Sequence, residues 1–220
     1  MPEGKMEHNA FNIPLDKNPQ IFIGVIPGHY TTSYAHVNHY LDVNEIKSNM
    51  FMARDVARVL AVPYLTGSLV DTIVCMERTD VIGAYLAEEL VRKGDPSYAI
   101  NKSIHIVTPI NSVNGNLIFL GSTVGWISNK NIILLSATIS SGHTVRKALE
   151  CLSFYGGKAI GVSTLFMASG KQPDLDVNTL FTYEDIPDYR IWAPGDCELC
   201  RQERQLDAII SSEGYTKISE

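Results

Sequence analysis

No apolar stretch of this chain approaches the ~20 residues that a membrane-spanning helix needs. The opening Met1 to Pro19 is polar and lacks the short apolar core of a signal peptide. The expectation is a cytoplasmic protein with no membrane partner. Positive charge is scarce as well: 18 Lys and Arg stand against 24 Asp and Glu, for a net charge of −6, and the basic residues form no run or cluster. Nucleic acid is therefore not an expected partner, since its phosphate backbone is held mainly by grouped cations. Only four cysteines are present, which fits the expected cytosolic compartment. Cys75 falls in an expected strand and Cys151 in an expected helix, where reduced thiols behave as small hydrophobes. Internal repeats, low-complexity tracts and a clear linker are also missing. A hydrophobic share of 45% in 220 residues is ample for one globular domain with a full core.

Strand and helix patterns alternate along that domain, which points to a mostly parallel sheet. Asn44 reads as the cap of a helix from Glu45 to Leu60, with Ile46, Met50, Ala53, Ala57 and Leu60 along one stripe and Pro63 beyond its end. Asp71 to Cys75 comes next as a short buried strand. After a turn at Arg78-Thr79-Asp80, a helix from about Val81 to Arg92 turns Ile82, Tyr85, Leu86 and Leu90 inward and stops at Gly94. Ser103 to Val107 and Asn116 to Leu120 read as strands separated by the turn signal Asn114-Gly115. Lys158 to Thr164 reads as a further covered strand.

The segment from Asn131 to Thr144 carries the chemistry. Ile132 to Leu135 form a continuous apolar run, as in a strand covered on both faces. Thr138 and the loop Ser140-Ser141-Gly142-His143-Thr144 come next, and then Val145, Ala148, Leu149 and Leu152 recur at helical spacing up to the stop at Gly156-Gly157. The first N–H groups of such a helix have no intrahelical partner and lie at the positive end of its dipole, so a phosphate is favoured there. The hydroxyls of Ser140, Ser141 and Thr144 add donors, and Gly142 lets the backbone approach closely. The same pattern also occurs in α/β proteins that bind no phosphate.

This segment resembles the phosphoribosyl-pyrophosphate motif of type I phosphoribosyltransferases, and the chain is nearest to the orotate branch of that family. In the family two acidic residues at the strand end hold the ribose hydroxyls, and the adjoining loop surrounds the 5′-phosphate. Here the loop is present and the acidic positions carry Ser136 and Ala137. Met76-Glu77-Arg78-Thr79-Asp80 is similar in placement to the family's pyrophosphate loop, making Glu77, Arg78, Thr79 and Asp80 candidates for that role. Thr79 stands where glycine is common. The alternative reading of Thr79 or Asp80 is a plain helix cap. Pro27 to His36 is similar to the segment that lies over the base in orotate enzymes. Between His105 and Asn129, where that branch has a cationic catalytic loop, there is no Lys or Arg.

The resemblance implies an α/β, type I phosphoribosyltransferase fold: a mostly parallel sheet flanked by helices, with a small hood. One domain is expected, its hood in residues 1–44, its core in 45–165 and a C-terminal addition in 166–220. The implied function is binding of a phosphorylated ribose compound, either phosphoribosyl pyrophosphate or a nucleoside monophosphate, with transfer weakened or lost. The alternative is an active orotate-type enzyme that uses Mg²⁺. A homodimer is implied too. Cys197 and Cys200 are similar to a Cys-x-Leu-Cys tail in orotate phosphoribosyltransferase-like proteins. They leave three readings open: unliganded thiols, a Zn²⁺ site that needs two more ligands, or a redox pair. The tail is expected to lie apart from the phosphate loop. His29, His36 and His39 are close enough in sequence to raise a metal site, against the plainer reading of surface histidines.

Overall fold

The computed structural model describes residues 9–67, 69–94, 103–112, 116–168, 176–211 and 214–218. The hood opens the chain with β1 (Phe11–Leu15), β2 (Asn18–Thr31) and β3 (His36–Asp42), followed by the helices α1 (Asn44–Ser48) and α2 (Met50–Ala61). Then come β4 (Thr72–Cys75), α3 (Asp80–Lys93), β5 (His105–Val107) and the short pair β6 (Ile110–Asn111) and β7 (Leu117–Ile118). The chain continues through β8 (Asn131–Ile139), α4 (His143–Phe154), β9 (Lys158–Met167) and β10 (Val177–Thr182). It ends with β11 (Ile191–Trp192), α5 (Glu198–Arg201), β12 (Ala208–Ser211) and β13 (Gly214–Lys217).

The core is a five-stranded sheet in the order β10-β9-β8-β4-β5, with every neighbouring pair parallel. Its central strands are apolar at both parities because both faces are covered. Ile73, Cys75, Ile133 and Leu135 point one way into a cluster with α2 and α3, among Val56, Leu60, Ile82 and Leu86. Val74, Ile132 and Leu134 point the other way, onto Val145, Ala148 and Leu152 of α4. Helix α3 lies so close to β4 that a Cβ at Gly83 would collide with Cys75 Sγ. Only glycine permits that approach.

The second sheet is the hood. Its order is β11-β3-β2-β12-β13, with β1 added along β2. Strands β1, β2 and β3 form an antiparallel meander, whereas β12 returns from the far end of the chain to lie parallel to β2, pairing Ala208 with Tyr30 and Ile209 with Thr31. Ile26, Tyr30, Val37, Tyr40 and Ala208 fill the space beneath it. Chain ends that are far apart in sequence therefore build one layer.

Three local expectations are corrected. The helix expected over Glu45 to Leu60 is broken at Asn49, whose backbone is extended (ψ 115°) and whose Oδ1 accepts from the N–H groups of Phe51 at 3.0 Å and Met52 at 3.4 Å. A side chain that caps a new helix ends the old one. The buried stripe shifts accordingly to Met52, Ala53, Val56, Ala57 and Leu60, leaving Met50 48% exposed. Strand β8 runs to Ile139, well past Leu135, because β9 pairs with it as far as Met167. The strands expected over Ser103 to Val107 and Asn116 to Leu120 are both present but shorter, β5 (His105–Val107) in the core sheet and β7 (Leu117–Ile118) paired with β6. The Asn114-Gly115 turn lies outside the described residues.

Asn49→Ala removes that cap, and its loss should destabilise the protein by about 1 kcal/mol. Urea denaturation should show a lower midpoint at an unchanged slope, with the native circular dichroism spectrum retained. An unchanged midpoint would mean that packing alone sets the break between α1 and α2.

Candidate functional site

In an open parallel sheet, the carboxyl ends of the strands face a crevice where ligands gather. Here β4 and β8 end side by side. After Ile139 the chain turns through Ser140, Ser141 and Gly142, and α4 begins at His143. Gly142 adopts φ 75°, a left-handed backbone that costs glycine nothing. The cap residue is Gly142, which offers no side-chain acceptor to the first turn of α4. Its leading N–H groups therefore stay available to an anion. The loop opens on a cleft of about 420 Å³ lined by Thr138 to Val145, within the size range of small-molecule sites.

The opposite wall is the turn between β4 and α3. Glu77 and Arg78 have φ values of 54° and 62°, two consecutive non-glycine residues in the left-handed region. Such strain persists only where the surroundings over-determine it, and here they do. The Glu77 carboxylate accepts hydrogen bonds from Ser136 Oγ at 3.0 Å, Ala137 N at 2.9 Å and Thr138 N at 3.0 Å. Thr79 is fully buried, and its hydroxyl donates to the carbonyls of Met76 at 2.8 Å and Leu135 at 3.2 Å. Threonine is tolerated at this position because its own φ is −92°; the left-handed residues precede it.

Of the loop candidates, Glu77 and Arg78 line the cleft and Thr79 and Asp80 do not. Asp80 opens α3 and accepts from Thr108 Oγ1, so its charge is engaged away from an anion. Neither residue caps the helix through its side chain: Thr79 occupies the cap position without a capping bond. Cys75 at the cleft floor is no nucleophile. Burial, aided by Asp80, pushes its thiol up to about 12, so the thiolate is not formed near neutrality.

All of Thr138, Ser140, Ser141, Gly142, His143 and Thr144 line the cleft together. His143 is exposed and stacks on Tyr34 of the β2–β3 turn, at 4.7 Å between centroids and 30° between planes. Lys147, one turn further along α4, donates to the Tyr34 hydroxyl at 3.3 Å and also lines the cleft. Arg78 and Lys147 place cationic side chains in the cleft wall. Lys147 was legible in principle: it stands four residues after His143 and three after Thr144, on the same helix face.

A smaller inner lobe of about 100 Å³ continues the cleft beneath the hood, sharing Glu77, Thr138 and Ser140 with it. Tyr40, Phe166, Tyr189 and His39 give it an aromatic wall, and Lys47 reaches its edge. Burial holds the His39 imidazole below its ordinary pKa against the opposing charge of Asp188, so the ring is neutral at pH 7. Its Nδ1 lies 2.9 Å from Asn38 Oδ1, and the ring stacks on Tyr189.

Two expectations fail at the far side of the hood. His29, His36 and His39 are not surface residues; all three are buried. His29 and His36 meet Cys197 and Cys200, with the four donor atoms within 4.8 Å of one another. His39 belongs to the inner lobe instead. The cysteine-bearing tail does not stand apart from the phosphate loop either, because it leads into β12, whose Ile210 and Ser211 line both lobes of the cleft.

No protein-family model matches the sequence, and no curated protein matches it. Solved structures do match. Adenine phosphoribosyltransferase from Trypanosoma brucei, in complex with AMP, pyrophosphate and ribose-5-phosphate, superposes with a TM-score of 0.52 at 15% identity, over 73% of this chain and 78% of its own. A phosphoribosyltransferase from Corynebacterium diphtheriae gives 0.50 at 15% identity, over 72% and 90%. Orotate phosphoribosyltransferase from Mycobacterium tuberculosis gives 0.50 at 12% identity, over 73% and 90%. With its five parallel strands, the loop between β8 and α4 and a separate hood, this chain has the type I phosphoribosyltransferase fold.

Proposed function

We propose that this protein binds a phosphorylated ribose compound, phosphoribosyl pyrophosphate or a nucleoside monophosphate, with its transfer chemistry weakened or lost. The observation that carries the reading is the uncapped start of α4, reached through a left-handed Gly142 and opening on a cleft with Arg78 and Lys147 in its walls. The 5′-phosphate takes the Ser140 to Thr144 loop. The ribose lies toward Glu77, and a base takes the aromatic lobe under the hood. The Trypanosoma brucei structure is described with AMP, pyrophosphate and ribose-5-phosphate, ligands of the class this cleft suits.

Loss of transfer is argued from the charge inventory. Among the described residues lining the cleft, Glu77 is the sole acid, and one of its oxygens already accepts three hydrogen bonds. Stabilising an oxocarbenium-like centre and a leaving pyrophosphate needs preorganised charge on both sides. A second reading, an active orotate-type enzyme, is favoured by the same residue: Glu77 brings a carboxylate against Ser136 and Ala137, where the resembling family has its acidic pair. One carboxylate with the nearby Thr138 and Ser140 hydroxyls fits a Mg²⁺ ion that keeps its waters and takes substrate oxygens. Bound there, the ion would supply charge neutralisation at the pyrophosphate.

Ribose 5-phosphate or a nucleoside monophosphate should raise the melting temperature, by an amount equivalent to about 2.7 kcal/mol at one hundred times Kd. Gly142→Val should abolish the shift, since a β-branched residue strains the left-handed turn. A wild-type melting point indifferent to millimolar phosphate ligands would sink the reading. With orotate, phosphoribosyl pyrophosphate and Mg²⁺, pyrophosphate release should stay near background, because each lost transition-state contact is worth ~10²–10³ in rate. Release at ordinary enzyme rates would establish the second reading instead. Glu77→Ala leaves the Ala137 and Thr138 amides without their acceptor and should destabilise the fold by about 2 kcal/mol in denaturant titration. A variant as stable as the parent would show that the strained turn does not depend on the carboxylate.

A further inference from the structure

We propose that His29, His36, Cys197 and Cys200 bind one Zn²⁺ ion, and that this ion clamps the C-terminal strand β12 onto the hood. The distances fit the metal. His29 Nε2 lies 3.2 Å from His36 Nδ1, 3.4 Å from Cys197 Sγ and 3.6 Å from Cys200 Sγ, and Cys200 Sγ lies 3.3 Å from His36 Nδ1. A tetrahedron built on Zn–N of about 2.05 Å and Zn–S of about 2.3 Å has N···N edges of about 3.3 Å and N···S edges of about 3.5 Å. These four edges match the tetrahedron, and all four donor atoms lie within 4.8 Å of one another. Two thiolates and two imidazoles are the donor set that selects zinc over harder ions.

The protonation pattern agrees. His29 Nδ1 lies 2.8 Å from the carbonyl oxygen of Arg204 and 3.2 Å from that of Gln205. Only a protonated Nδ1 can donate to them, which leaves Nε2 with its lone pair directed at the cluster. A ligand histidine oriented by a backbone carbonyl on its other nitrogen is the usual supporting arrangement of a zinc site. His29 is fully buried and Cys197 is 1% exposed, so this lone pair and this thiol face one another away from water.

The fold explains how four distant residues converge. Strands β2 and β3 pair Thr31 with His36, and the irregularity between Pro27 and Tyr30 carries His29 to the same end of the hairpin. The single turn of α5 brings Cys197 and Cys200 to one side, three residues apart. Strand β12 has only two register pairs with β2, supported by the exchange between His29 N and Asp207 Oδ2 at 2.7 Å and between Asp207 N and His29 O at 2.8 Å. An ion joining β2, β3 and α5 would fix the entry to β12. It would thereby hold Ile210 and Ser211 in the cleft wall. The inference stands apart from the phosphate-ligand reading, since it rests on the other end of the hood.

The test is elemental analysis of the full chain purified without chelator or added metal. The expected content is about one zinc per chain, falling at least tenfold in Cys200→Ser and in His36→Ala. Because a variant can fail to fold, wild-type protein exchanged into Co²⁺ serves as the second measurement: thiolate-to-cobalt charge-transfer bands with intense tetrahedral d–d bands are expected. Removing the metal with chelator should speed amide hydrogen exchange across 208–211 and leave β8 unchanged. Zinc-free protein that gives no tetrahedral cobalt spectrum, with Cys197 and Cys200 either free or joined in a disulfide, would overturn the site. So would full zinc in a folded His29→Ala/His36→Ala double variant. Unaltered exchange at 208–211 after demetallation would overturn the clamp.

Discussion

The candidate site hangs on one carboxylate. Glu77 reaches from the turn after β4 to the end of β8 and accepts from Ser136, Ala137 and Thr138, tying together the two loops that form opposite walls of the cleft. Without that tie, a turn with left-handed backbone at both Glu77 and Arg78 would relax to a cheaper conformation. Thr79 secures the turn from below through the carbonyls of Met76 and Leu135. The parallel core supplies a rigid base for both, because β4 and β8 are paired along the whole of β4 and buried on both faces.

Negative charge is redistributed in the process. Ser136 and Ala137 are nearly inaccessible within β8, so a carboxylate at either position would stand on the strand itself. Glu77 approaches the same backbone from the neighbouring loop. Its single charge is engaged in holding the turn against the strand. A carboxylate oxygen that accepts from three donors is held in one place at the end of β8.

The hood ties the two chain ends into one layer. Tyr34 clasps His143 and Lys147 on α4 at one end of it. At the other, the His29–His36–Cys197–Cys200 cluster sits where the tail joins β2. Strand β12 lies between them, so the same chain segment is both part of the hood sheet and part of the cleft wall.

Much of this molecule was written in local pattern. The buried run of β8, the stop of α3 at Gly94, the helix after Gly142 and the small hydroxylated loop are all encoded by residues near one another, through periodicity, capping and the freedom of glycine, and they place the Ser140 to Thr144 loop at the end of β8. The break at Asn49 was written locally too, but a continuous apolar stripe obscured it. What only the tertiary structure decided involves residues that meet across the chain. Glu77 finds the end of β8 some 60 residues away (|i−j| of 59 to 61), and Cys197 finds His29 over a separation of 168. Lys147 meets Tyr34, 113 positions away, only once α4 is docked beside the hood, although spacing alone puts it on the helix face of His143 and Thr144. Side-chain type and spacing carry no information about such meetings, because strand order and the return of β12 to β2 set them, and those depend on how the whole core buries its faces.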